Sequence, residues 1–181
     1  MRTIIRGVFM EFILSVLSGI ISGIVASIII NIYLRNKKPK IEISDNIARN
    51  PENEYRIKII NKSHFYVTNM IIQARLISLS TGNGGNIYSS KVIDVKQSLI
   101  YLIDPYSKDD KNAPYAIRIG ISKKLDQYWT DDSNTYLKVI VYCSNEWNTA
   151  SKVYTKEYYK KNQAIKDGDF DCGRSMRVFN D

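Results

Sequence analysis

From Phe12 to Leu34 the chain carries no charged side chain, and most of its residues there are Ile, Leu, Val, Ala, Gly or Ser. No other feature restricts the fold as strongly. About 20 apolar residues at roughly 1.5 Å rise each cross the hydrocarbon of a bilayer. In lipid only a helix satisfies all its backbone groups within one segment. The sequence therefore predicts a short N-terminal tail over 1–11, a transmembrane helix over 12–34, a basic juxtamembrane linker over 35–40 and a domain over 41–181.

Residues 15–27 read SVLSGIISGIVAS. Ser15, Gly19, Gly23 and Ser27 recur at every fourth position and line one side of a helix, with Ser18, Ser22 and Ala26 beside them. In water each glycine costs a helix about 1 kcal/mol relative to alanine; in a membrane small residues let two helices approach closely. The expected helix-packing residues are Ser15, Gly19, Ser22, Gly23, Ala26 and Ser27. Leu17, Ile20, Ile24 and Ile28 are read as the opposite, lipid-facing side. With one span in the chain, the expected partner is a second copy. The competing reading is an anchor whose small residues are incidental, since glycine and serine are common in such helices.

Arg2 and Arg6 give the segment the basic start of a secretory signal, whose apolar run is about 7–15 residues. Here the run is longer, and IIINIYL continues past the one plausible cleavage site near Ser27, so a retained anchor is expected. Met10 is an alternative start, because MEFILSVLSG opens the span cleanly. After the span come Arg35, Lys37, Lys38 and Lys40; before it lie Arg2, Arg6 and Glu11. Lys and Arg favour the cytoplasmic side. The expected topology is a short N-terminus outside the plasma membrane and the domain in the cytoplasm, with the four basic residues at the lipid headgroups and Tyr33 at the interface.

The net charge is +8, of which +5 falls within residues 1–40 and +3 in the remainder. The basic character is thus mainly juxtamembrane, where each such residue contributes about 1 kcal/mol against an anionic surface. Lys156, Lys160 and Lys161 form the best cluster elsewhere and read as a solvated face, so no nucleic-acid partner is expected. Cys143 and Cys172 should be thiols in a cytoplasmic domain, Cys143 packed in a core strand. Asn61-Lys62-Ser63 matches a glycosylation acceptor, a frequent chance match.

Beyond Pro39 the pattern changes to period two. KIEIS, YRIKIIN, FYVTNMIIQARLISL, IYSSKVIDV, SLIYLI, YAIRIGI, TYLKVIVYC and SKVYTKEYY read as strands, with a weak last one in DGDFDCGRSMRVF. Tyr55, Ile57 and Ile59 share a face, FYVTNMIIQARLISL is long or bent, and SLIYLI is short and buried. NIARNPENE reads as polar turn. SKKLDQYWTDDS predicts one short helix, with Ser122 as its cap and Leu125, Tyr128 and Trp129 at helical spacing. The fold class expected is an N-terminal transmembrane α-helix plus an all-β domain: an antiparallel immunoglobulin-like β-sandwich with one short helix.

YRIKIINKSHFYVTNMIIQARLISL resembles a strand pair of immunoglobulin-like domains, and is loosely similar to the cytoplasmic β-sandwich of inward-rectifier potassium channels. The channels' second span and pore loop are missing, so channel activity is not implied. The layout also resembles small uncharacterised bacterial single-span membrane proteins with such a domain. By layout alone it is similar to bacterial antiviral effectors that join membrane spans to a small ligand-binding β-barrel.

Candidate chemistry is sparse. His64 is the single histidine, in a turn before a strand. With no second histidine and no paired cysteines, zinc and Cys–His sites are not expected. Asp109-Asp110 and Asp131-Asp132 suit turns. Asp167, Asp169 and Asp171 alternate, but the glutamate and loop length of a calcium motif are lacking. Gly82, Gly84 and Gly85 in TGNGGN precede a strand rather than a helix, which favours a hairpin over a phosphate cradle. Tyr136, Tyr142, Tyr154, Tyr158 and Tyr159 divide between core and a recognition surface. No catalytic residue, metal site or cofactor is expected. The sequence points to a membrane-tethered, non-enzymatic binding or sensor module that self-associates through its span, with an unidentified protein or small-molecule ligand. The runner-up is a membrane-perturbing effector of the antiviral-defence type, whose β-domain senses a ligand and clusters the spans.

Overall fold

The computed structural model describes residues 2–131, 134–147 and 150–180. The chain divides into two compact units, Met1–Lys37 and Lys38–Asp181.

The first unit is helix α1, Arg2–Asn36. Its Met10–Leu34 stretch has 25 residues and a mean hydropathy of 2.5, long and apolar enough to cross a membrane, and none of it is buried against protein. A core helix of a water-soluble domain would bury one face. This one displays apolar side chains all round.

The second unit is built on two curled sheets. In the first, β3 (Tyr55–Asn61) is central. β1 (Ile41–Ile43) and β2 (Ile47–Arg49) lie along one side of it and β7 (Ala116–Ile121) along the other, all antiparallel to β3. β10 (Ile165–Asp167) then pairs with β2 in parallel. In the second sheet β4 (Val67–Gly82) is central, with β8 (Thr135–Asn145) and then β9 (Ser151–Tyr158) on one side. β5 (Gly85–Ile93) and β6 (Leu99–Ile103) share the other side. The sheets meet where the chain leaves β5: Lys96 N–H donates to the Gly120 carbonyl and Ser122 N–H to that of Asp94, both at 2.9 Å. One apolar core joins the inner faces, with Ile57, Ile59 and Ile119 from the first sheet and Ile72, Val139 and Val141 from the second.

Most strands form where alternation predicts them. β4 is a single 16-residue strand. It bends at a bulge between Thr68 and Ile71, where Asn69 takes a positive φ of 50°. Gly82 pairs with Gly85, leaving Asn83–Gly84 as a two-residue hairpin turn, and Gly84 supplies the φ of +99° it needs.

Several expectations are corrected. β2 lies inside the stretch read as polar turn, because Ile47 and Ala48 are buried there. β6 is not buried: Leu99, Tyr101 and Leu102 are exposed, and Ile103 is its one buried residue. The β10–β2 pair breaks the all-antiparallel expectation. The helix in SKKLDQYWTDDS is one turn, α2 (Leu125–Tyr128), and a second single turn, α3 (Lys161–Ala164), joins it. Ser122 does not cap α2: its hydroxyl accepts from Lys124 N–H, and the cap position is Lys124.

β3 is covered on both faces. Tyr55, Ile57 and Ile59 enter the core, while the alternate Lys58 is only 1% exposed. Residues of the C-terminal segment lie over that outer face. The Lys58 ammonium donates to the carbonyls of Asp171, Gly173 and Ser175, so its three protons meet three acceptors. Arg56 pairs with Asp169, and Arg118, directly opposite Lys58 on β7, reaches the Phe170 carbonyl at 3.4 Å. Burial lowers the pKa of Lys58; Asp171 acts in the opposite sense and favours the ammonium.

Candidate functional site

On α1, Ser15, Gly19, Gly23 and Ser27 follow one another along the helix, and a Cβ added at Gly19 or Gly23 meets nothing within 4 Å. The Ser27 hydroxyl donates to the Gly23 carbonyl at 2.8 Å and that of Ser18 to the Ser15 carbonyl at 2.9 Å. These two serines thus satisfy their hydroxyls within their own helix and present small, nearly apolar surfaces. A shallow open hollow runs along Ile20, Gly23, Ile24, Ser27, Ile28 and Asn31. Ile20, Ile24 and Ile28 therefore flank the line of small residues instead of opposing it. At 3.6 residues per turn the next residue in sequence is 100° round the helix, not 180°. Ser22 and Ala26 border the line on its other side.

Asn31 is the residue that sequence reading passed over. It stands four residues beyond Ser27, at the end of the hollow, and carries an amide with two donors and an acceptor. The signal was the same four-residue period, hidden because asparagine is not small.

Of the four basic residues expected at the headgroups, the side chain of Arg35 lies outside the described part, as do those of Arg2 and Arg6. Lys37 Nζ sits 5.5 Å from the centre of the Tyr33 ring. Lys38 and Lys40 are exposed, but the backbone around them is pinned. Pro39 is buried and its carbonyl accepts from the Tyr154 hydroxyl at 2.5 Å. Lys40 N–H donates to Ser63 Oγ at 2.8 Å, and Lys62 N–H to the Lys40 carbonyl at 2.7 Å. The chain thus enters the β-domain already fixed at Pro39, against β9 and the β3–β4 loop.

The remaining candidates have structural partners. Cys143 and Cys172 are both free thiols; Cys143 is a core residue whose pKa burial pushes up to about 12. His64 is exposed in the β3–β4 turn. Asp167 pairs with Arg49 at 2.6 Å, Asp169 pairs with Arg56, and Asp171 accepts from Gly173 N–H, so the alternating acids point to different partners. Among the described residues no group of three or more His, Cys, Asp or Glu is gathered for a metal. Asp131 accepts from Asn162 N–H, and Asp132 lies outside the described residues. The tyrosines divide: Tyr158 is buried with its hydroxyl on the Ser44 carbonyl, Tyr136 and Tyr159 stack with centroids 5.2 Å apart, and Tyr142 is exposed.

Glu54 gathers three cations. Its carboxylate meets Lys96 at 2.7 Å, Arg56 at 3.0 Å and Lys123 at 3.4 Å. The three cations, Lys96 foremost, hold its pKa down from 4.5 to about 2. A carboxyl depressed on folding contributes stability above its unfolded pKa and loses it as pH falls through the folded one. Wild-type stability should therefore decline between pH 4.5 and about 2, and Glu54→Gln should flatten that part of the profile. Unfolding midpoints across this range check it. An unchanged slope in the variant assigns the acid sensitivity to other carboxyls. An open hollow of about 330 Å³ beside this network is lined by Arg56, Lys96, Gln97 and Arg118.

Taken together, these features define a class: an apolar N-terminal helix of membrane-spanning length joined to a β-rich domain whose ionic side chains hold strands and the C-terminal segment in place. No family model matches the chain, and no curated protein matches it.

Proposed function

We propose that this protein is a membrane-tethered, non-enzymatic binding or sensor module that pairs with a second copy through α1. The observation that carries the reading is the open line Ser15–Gly19–Gly23–Ser27 ending in Asn31. In lipid, apolar side chains gain nothing from meeting one another, so helix association rests on close packing and polar contacts. The glycines supply the first. An asparagine amide facing hydrocarbon is costly and gains a partner when a second Asn31 approaches.

The β-domain reads as immunoglobulin-like. The order β1–β3–β7 in one sheet and β5–β4–β8–β9 in the other corresponds to the A-B-E and C′-C-F-G arrangement of that fold. The proposed setting is the plasma membrane, N-terminus outside, with Arg35, Lys37, Lys38 and Lys40 holding the domain on the cytoplasmic side.

Self-association of the full chain in a membrane tests the reading. Gly19→Ile with Gly23→Ile should abolish it. Asn31→Leu should weaken it about tenfold, since a polar contact between membrane helices contributes about 1–2 kcal/mol. Wild type and both variants behaving alike as monomers would reduce α1 to an anchor.

A further inference from the structure

The end of the β-domain at which the chain enters carries an unusual set of side chains. Lys40 is held by the β3–β4 loop, residues 62–66. Val67 pairs with Ile103 on one side and Asn145 on the other, which brings the end of β6 and the β8–β9 hairpin to the same place. Trp147 stands there 79% exposed and Tyr101 74% exposed, with Leu102 and Tyr66 also exposed. Backbone pairing thus places these four exposed side chains at one end of the sheet, and apolar side chains brought together on a surface suit a binding site. The indole N–H of Trp147 is not part of a core: it donates to Glu146 at 2.6 Å, and the same carboxylate accepts from Tyr66 N–H at 3.3 Å.

The charges around the group are mainly positive. Lys38, Lys40 and Lys152 are exposed, and Lys62 pairs with Glu42 at 2.9 Å while lying 5.0 Å over the Tyr106 ring. Glu146, Glu42 and Asp104 are the neighbouring acids; Glu146 and Glu42 have partners already named, and Asp104 follows Ile103, its carbonyl accepting from the Asn61 amide. Tryptophan and tyrosine at the boundary between apolar and wet surroundings, with lysines beside them, form the combination that suits a lipid headgroup layer.

We infer that this aromatic and basic end of the β-domain docks on the surface of an anionic bilayer. The inference rests on the reading of α1 as a span. If α1 is in the membrane, four residues, Arg35 to Lys38, separate its last apolar residue from the pinned Pro39. A fully extended segment of this size reaches no more than about 20 Å. The tether keeps the point of entry at Pro39 within that distance of the headgroups, so the side chains around it are those with the shortest reach to lipid. Trp147, Tyr66, Tyr101 and Leu102 act as interfacial anchors there, and Lys38, Lys40 and Lys152 as contacts to lipid phosphate.

The two tryptophans make the test direct. Trp129 is fully buried, whereas Trp147 is the exposed one. The full chain is reconstituted into phosphatidylcholine vesicles with and without phosphatidylglycerol, the acyl chains brominated near the headgroups. Flotation with the vesicles is scored first, then quenching of tryptophan emission. The expected result is a floating chain that loses most of its Trp147 emission, more so with phosphatidylglycerol. Trp147→Phe should leave a residual Trp129 signal that the bromines do not reach, and Lys38→Glu with Lys40→Glu should restore much of the quenched emission. A chain that floats with Trp147 unquenched overturns the docking inference alone and leaves the patch to a protein or a second copy. A chain that does not float overturns the membrane anchor itself, and the docking with it.

Discussion

Replacing Lys58 with methionine should destabilise the β-domain by about 3 kcal/mol and release its C-terminal segment. Lys58 is a charged residue in a central strand, yet it is almost wholly buried and its ammonium is shared among the carbonyls of Asp171, Gly173 and Ser175. Methionine fills a similar volume and removes the donors. Three carbonyls then face an apolar side chain, each costing about 1–3 kcal/mol if it stays buried. Asp171 and Cys172 are exposed, so the segment is able to peel away and recover water, which limits the loss. Urea unfolding in detergent reads the stability, and limited trypsin digestion reads the segment: cleavage after Arg174 or Arg177 should precede cleavage elsewhere in the domain. Equal stability and equal protection in the variant would show that the carbonyl contacts hold nothing in place.

Trp129→Ala should cost about 3–5 kcal/mol, the range for removing a large aromatic side chain from a core. Trp129 follows α2, lies fully buried among residues of both sheets, and its indole donates to the Thr135 carbonyl at 3.4 Å. Its loss opens a cavity where the β7–β8 connection seats against the core. The signature differs from that of the Lys58 variant: unfolding is weakened for the whole domain, with no early release of the C-terminal segment. Trp129→Phe should recover much of the difference. A loss below about 1 kcal/mol for alanine would mean that the core closes over the gap.

What the sequence disclosed and what it hid follow from the range of the interactions. The apolar helix is visible because its signal is local, a long uncharged run, and β3, β4 and β8 are visible because one face of each enters a core. β2 was hidden because three residues between polar turns carry too short a pattern, and it forms only where β3 and β10 flank it. Lys58 was hidden for the opposite reason. In YRIKIIN it reads as an ordinary outward lysine, and its partners lie 113 to 117 residues later. On the helix, Asn31 continues the four-residue spacing but is hidden because asparagine is not small, and the flanking position of Ile20, Ile24 and Ile28 required the true 100° step. Trp147 sits in EWNTA, between the strands TYLKVIVYC and SKVYTKEYY, where no pattern singles it out. Its neighbours, the end of β6 and the β3–β4 loop, come from distant parts of the sequence.

The cradle around Lys58 also bears on how the protein is made. Ribosomes extend a chain at about 5–20 residues per second. The first carbonyl that Lys58 needs is 113 residues downstream, so an interval of roughly 6 to 23 s passes before it exists. Throughout that interval β3 carries a cation that its native burial leaves without acceptors. The first sheet cannot reach its final form around a nascent chain, and a chain cut short before Ser175 lacks one or more of the carbonyls that receive the Lys58 ammonium. Lys58 thus ties a late-made segment to one of the domain's first strands.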